Sequence, residues 1–244
     1  MASGIPDSPR TWVKGVRLTA EAIDKTQVRD AATVIVHRTG NQGPEILMGQ
    51  RGARAAFMPN KFVFPGGAVD PGDADIPLVS LPGQPCTDRL AQFSPPGLGP
   101  VLAAAAIREL WEETGLVLGR AGDWPDAPPD WHGFAARGFR PSAAALRFVF
   151  RAITPPGRSR RFDARFFLTS ADALAGDTEG FPDASDELSH LQWVPLAKAR
   201  RFDLAFITKV VLAEVEPLLA QNGAPASVPF VENDDPVSTV RRLV

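Results

Sequence analysis

Tyrosine is absent from this 244-residue chain, cysteine occurs once, and histidine three times. The lone Cys86 excludes an intramolecular disulfide and any multi-cysteine zinc or iron–sulfur centre. It lies in a Pro/Gly-rich stretch with no histidine nearby, a poor setting for an activated thiolate. His37, His132 and His190 are far apart and show no metal-ligand spacing. Without tyrosine, phenolic acid–base chemistry is excluded. No apolar run reaches the roughly 18 residues of a membrane-spanning helix. The start, MASGIPDSPR, lacks the basic-then-apolar order of a secretory signal. Charge of one sign is not in excess either. Lys+Arg number 26 and Asp+Glu 28, so no global basic field exists to hold a nucleic acid or an anionic membrane. These absences lead to the expectation of a cytoplasmic protein with neither a nucleic-acid nor a membrane partner.

What is present suits one globular domain with decorations. A short helix is suggested near residues 19–25. Residues 31–37 (AATVIVH) read as a buried β-branched strand, followed after a Gly/Pro turn by residues 45–49 (EILMG), a hairpin partner. Residues 61–64 (KFVF) form a third strand, stopped by Pro65-Gly66-Gly67. Residues 71–100 are rich in Pro, Gly, Ser and Asp and read as an inserted loop with one helical turn near 88–92. A strong helix follows, VLAAAAIRELWEET, with Pro100 suited to its first position and Gly115 to the residue just past its end. Residues 119–141 read as a second loop. Strands are expected at 146–153, 165–168 and 191–194, and a last helix at 206–219. The expectation is a single α+β domain over 1–244, a mixed β-sheet core flanked by helices. The core spans about 30–215, the inserted loop about 74–100, and an irregular tail about 222–244.

The informative stretch runs from Arg108 to Leu116. On a helix, Glu109, Glu112 and Glu113 stand at i, i+3 and i+4 and share a face. Three such charges repel one another, and acidic side chains near a helix C-terminus oppose the macrodipole. A hard divalent cation would offset both, because Mg²⁺ takes oxygen ligands. Arg108 beside them could fix one carboxylate. The alternative is a solvated, charged helix end.

Upstream stands FPGGAVDPGD, residues 64–73. Glycine, five residues, an acid, a spacer, then R-E-apolar-x-E-E-x-G-apolar resembles the box of the Nudix hydrolases. The second half matches at every specified position from Arg108 to Leu116. The first half matches at Gly67 and has Asp73 where the family has glutamate. Thirty-four residues separate Asp73 from Arg108, against seven in the family pattern. Such an insertion can bulge outward at a loop-closure cost of about 1–2 kcal/mol. It leaves Asp73 either structural or outside the site.

The resemblance implies the Nudix fold, an α/β/α sandwich. It also implies hydrolysis of a nucleoside diphosphate linked to another moiety, a small-molecule substrate, with Mg²⁺ or Mn²⁺ as cofactor. Metal ligands would be Glu112, Glu113, Glu109 and the carbonyl of Gly66. Glu109 would be a ligand or the base for water, oriented by Arg108. A further carboxylate from outside the box would be Glu187, in preference to Asp186 or Asp163. Substrate phosphates would meet Arg51, Arg54 and Arg161. Family analogy leaves a homodimer open.

The run LMGQRGARAAFMPNKFVFPGGAVD, residues 47–70, resembles the coenzyme A diphosphatase branch. The stretch ITPPGRSRRFDARFFL and the long insertion look like its acyl-CoA-cleaving members. That substrate would give 3′,5′-ADP and (acyl-)phosphopantetheine. The alternatives are an ADP-ribose or NDP-sugar diphosphatase, and a non-catalytic nucleotide-binding sensor. A sensor would be expected to lack one or more box carboxylates, and all three are present.

Overall fold

Near-continuous apolar runs along the central strands give a sheet that is buried on both faces. The computed structural model describes residues 27–244 except 54, 56, 222, 235 and 236. The helix suggested at 19–25 lies outside the described residues. The chain opens with β1 (Val28–Gly40) and β2 (Gly43–Arg51), the expected hairpin, and continues through β3 (Phe62–Val63) and β4 (Gly66–Ala68). Two helices follow, α1 (Cys86–Ala91) and α2 (Leu98–Thr114). A small excursion comes next, made of β5 (Gly119–Ala121), α3 (His132–Ala136) and β6 (Phe139–Pro141). Then come β7 (Arg147–Ile153), β8 (Arg161–Ser170), β9 (Leu188–Pro195), α4 (Leu196–Ala199) and α5 (Phe206–Val215). The described chain ends in β10 (Val228–Asp234) and β11 (Val237–Leu243).

Nine of these strands form one mixed sheet in the order β11-β10-β7-β8-β1-β2-β3, with β4 on β1 and β9 on β2. β1 runs parallel to β8, and β10 parallel to β7; the other pairs are antiparallel. Val34, Val36, Leu47, Phe148 and Phe167 face α2, and Ile35, Ile46, Met48, Phe150 and Phe166 face α5. Adjacent residues of a strand point to opposite faces, so each strand feeds two cores. This is the expected sheet with helices on both sides. Ala103 to Ala106 are all fully buried, and their short side chains let α2 approach the sheet closely. Gly115, at φ 70°, ends α2 and donates its N–H to the Trp111 carbonyl. Among the described residues no helix is long and apolar enough to cross a membrane.

Three expectations need correction. The tail is not irregular: residues 228–243 form a hairpin that extends the sheet, with Val228, Phe230 and Leu243 buried. Pro229 looks like a breaker, but it sits next to the start of β10. The segment 74–97 is not a free loop either. Ile76, Cys86 and Leu90 are buried in the core under α2. Arg89, on α1, donates to the carbonyls of Pro225 and Ala226 at 2.6 and 2.8 Å. The inserted segment and the C-terminal hairpin therefore pack against each other. The helix also begins earlier than expected, at Leu98, with Pro100 in its first turn.

Candidate active site

The FPGG turn brings two glycines beneath the C-terminal half of α2. Pro65 accepts a bond from the Val34 amide at 2.8 Å, and β4 pairs Gly66 with Thr33 and Gly67 with Ala32. A Cβ on Gly67 would fall 2.4–2.5 Å from the Glu109 carboxylate. Glycine is required there because the carboxylate occupies the space a side chain would need. Gly66, at φ 151°, would strike the Ala32 carbonyl oxygen at 2.5 Å with a Cβ, and its N–H donates to Glu113 Oε2 at 2.7 Å. The two glycines and two of the glutamates thus fit as backbone against carboxylate.

Arg108 ties the rest together. Its Nε and Nη2 donate to the two oxygens of Asp73 at 2.8 and 3.0 Å. Its Nη1 donates to Glu109 at 3.0 Å and to Glu112 at 2.9 Å, and Nη2 also reaches the Ala68 carbonyl at 3.0 Å. All five N–H groups find acceptors, as a buried guanidinium requires. Asp73 is therefore not outside the site. It is buried, also accepts from the Asp70 amide at 2.8 Å, and anchors Arg108 from the far side of the insertion.

The electrostatics follow from burial. Glu113 is pushed up to about 8, first by burial and then by Glu109 and Glu187, with the Gly66 amide and Arg51 pulling it down. Glu109 is pushed up to about 7 by burial, against Arg108, with Glu112 and Glu187 adding to the rise. Glu112 is raised too, by burial and by the charges of Asp130 and Asp70, against Arg108. Burial works against the Arg108 charge, but Asp73, Glu109 and Glu112 outweigh it and hold its proton more firmly than in water. Carboxylates so crowded resist ionising together unless positive charge is added.

The sequence-predicted residues divide into those near this cluster and those elsewhere. Glu187 precedes β9, whose Leu188 pairs with Arg51 at the end of β2, and its charge is felt at Glu109 and Glu113. Arg51 acts on Glu113, and its Nε is buried without a hydrogen-bond partner. Arg54 lies outside the described residues. Arg161 is not brought to the cluster: it donates to the carbonyls of Thr154 and Asn233 at 3.0 and 3.4 Å. Asp163, weighed as the outside carboxylate, is buried in a separate network with Arg151 and Arg165. Sequence reading missed Asp70 and Asp130, which add negative charge at Glu112. Asp70 stands in the quoted FPGGAVDPGD stretch but was given no role there, and Asp130, in the short 3-10 turn Pro129–Trp131, has no motif spacing to mark it.

The donor set suits a hard divalent cation. Glu109, Glu112 and Glu113 offer carboxylate oxygens, the raised proton affinities show an unmet need for positive charge, and Gly66 borders the same space. As arranged, Glu112 turns to Arg108 and Glu113 to the Gly66 amide. Among the described residues no three carboxylate, imidazole or thiolate groups meet at one point. Loading a cation would thus need these side chains to turn from their present partners.

The family model described as NUDIX domain matches residues 99–215. A Caenorhabditis elegans protein provisionally named nudix hydrolase 7 is 30% identical over 179 residues, 68% of this chain and 51% of that protein. The chain thus spans about half the length of that relative. A solved NUDIX hydrolase from Alicyclobacillus acidocaldarius superposes with a TM-score of 0.58 at 29% identity, covering 77% of this chain and 90% of that one.

Proposed function

We propose, from the match of residues 99–215 to the NUDIX domain model, that this chain is a metal-dependent hydrolase of a nucleoside diphosphate linked to another moiety. Its substrate on this reading is the diphosphate of coenzyme A or an acyl-CoA, giving 3′,5′-ADP and (acyl-)phosphopantetheine. The observation that carries the reaction class is the gathering of Glu109, Glu112 and Glu113 around Arg108 and the FPGG turn. The substrate rests on the resemblance of residues 47–70 and of ITPPGRSRRFDARFFL to the coenzyme A diphosphatase branch.

Glu109, Glu112, Glu113 and the Gly66 carbonyl would hold Mg²⁺ or Mn²⁺. When bound, such an ion neutralises phosphate charge and makes water easier to deprotonate. Water adds to one phosphorus, the bridging P–O bond breaks, and the other phosphate leaves with the bridging oxygen. Glu109 serves either as a ligand or as the base that takes the proton from water, with Glu187 as the carboxylate from outside the box. Arg108 keeps Glu109 in one rotamer, and Asp73 keeps Arg108 in place. Arg51 has a spare buried donor and meets a phosphate oxygen.

The test is a hydrolysis screen with Mg²⁺ or Mn²⁺ over CoA, acetyl-CoA, a long-chain acyl-CoA, ADP-ribose, NADH and UDP-glucose. Release of 3′,5′-ADP from the CoA compounds alone is expected. Turnover of ADP-ribose or a sugar nucleotide alone would keep the chemistry and discard the substrate. Nucleotide binding without turnover of any compound would replace the enzyme by a sensor.

A further inference from the structure

The acidic loop of residues 176–187 is fastened to the glutamate-bearing helix by a side chain from a different loop. Asp183 lies on the C-terminal end of α2: a Cβ on Gly115 would come within 2.5 Å of the Asp183 Cβ and 3.0 Å of its carbonyl carbon. On the neighbouring side, the excursion between β5 and β6 packs on Trp111, where a Cβ on Gly133 would stand 3.1 Å from the indole. Arg137, at the end of α3, joins the two. Its guanidinium carbon stands 5.8 Å from the Trp111 ring centre, and Nη2 pairs with the Asp183 carboxylate. A cation here also lies near the negative end of the α2 dipole. Four residues after Asp183 comes Glu187, where β9 begins opposite Arg51.

The other end of the loop has its own anchors. Trp193 Nε1 donates to the Thr178 carbonyl at 2.6 Å, Arg38 pairs with Glu179, and Asp177 accepts the amides of Glu179 and Gly180. Among the described residues, Asp183 is the one member of residues 182–187 held by an ion pair. Phe181 and Ala184 pack on the core, and the Arg137–Asp183 pair adds a polar tie to the half of the loop that leads into Glu187.

We propose that Arg137 is a positioning residue: by holding Asp183 against α2, it sets where Glu187 meets the box carboxylates. This rests on the hydrolase reading given above. Both partners of the pair are 43% exposed, so the pair adds little to global stability. Its loss loosens one segment, and small misplacements at a reacting centre cost rate up to about a hundredfold.

The experiment combines amide hydrogen exchange with steady-state kinetics on the full chain. Arg137→Ala and Asp183→Asn should each speed exchange across 181–187, leave α2 protected, and lower kcat about tenfold with KM within about twofold. The double variant should be no slower than either single one. Arg137→Lys, which keeps the charge, should recover most of the rate. Arg120→Ala, an exposed charge loss on β5, should change neither readout. Unchanged exchange in 181–187 overturns the proposal. So does wild-type kinetics for Arg137→Ala in an enzyme whose wild type turns over. A wild type inert on every substrate overturns instead the hydrolase reading on which it rests.

Discussion

Crowded carboxylates make the stability of this fold depend on pH and on metal together. Glu113 has 2% of its surface exposed, and burial pushes its proton affinity up to about 8 from the ordinary 4.5. Between those values the folded protein binds a proton that the unfolded chain releases. The contribution is therefore complete below about pH 4.5 and is lost as pH rises through about 8. At about 1.4 kcal/mol per pH unit, the loss is on the order of 5 kcal/mol. For a chain of this size that is a fall in Tm of roughly 10 °C. Glu109, raised to about 7, adds in the same direction. His37 tilts the other way, since burial lowers its proton affinity, but it does so equally in any site variant. The assay is a series of thermal melts in EDTA from pH 5 to pH 9, for wild type and Glu113→Gln. The wild type should lose stability with rising pH, and the variant should lose much less. Saturating Mg²⁺ should restore the wild type at high pH, because a cation favours the ionised glutamates. Parallel curves for the two proteins in EDTA would refute the reasoning.

Two substitutions probe the architecture around the site. Gly67→Ala sets a methyl group 2.4–2.5 Å from the Glu109 carboxylate, so Glu109 must leave its place. It should cost about 1–3 kcal/mol in urea unfolding and remove hydrolytic activity, and a variant with wild-type kinetics would contradict the packing described. Asp163→Asn leaves Arg151 and the fully buried Arg165 short of a counter-charge, since Asp163 bonds Arg151 at 2.9 and 2.7 Å and lies 3.2 Å from Arg165. Urea unfolding should show a loss of about 3–5 kcal/mol with activity retained in the folded fraction.

How much of this was legible in the sequence depends on the range of the forces involved. The β1–β2 hairpin, α2 and the FPGG turn rest on local signals: β-branched runs, helix formers, a glycine stop. The box glutamates were legible because helical spacing alone puts them on one face. The hairpin Val228–Leu243 was not, because its stability comes from pairing with β7 and from burying Phe230. In RFDARFF, alternation puts Asp163, Arg165 and Phe167 on one face and Phe162, Ala164 and Phe166 on the other. Charged residues in such a pattern suggest a solvent face. Here both faces are covered, and the charges are matched by Arg151 on β7 and Asp30 on β1. Cross-strand partners of that kind leave no trace in spacing. Asp73 was read as either structural or outside the site because the long insertion hid its neighbour, and the chain returns it to Arg108 in a structural role. The Arg137–Asp183 clasp, between two loops, was equally invisible.

The central claim is that the glutamates at the end of α2 act as a metal-binding, diphosphate-cleaving centre. The most direct test is kcat for coenzyme A hydrolysis in saturating Mg²⁺, compared between wild type and Glu112→Gln. Glu112 bonds only the surface of the Arg108 cluster and its side chain is 40% exposed, so the variant should fold. The account predicts a folded variant with kcat reduced by about a thousandfold or more, since the cation and its charge stabilisation carry the reaction. A Glu112→Gln protein that hydrolyses its substrate at the wild-type rate with the same metal dependence would contradict it.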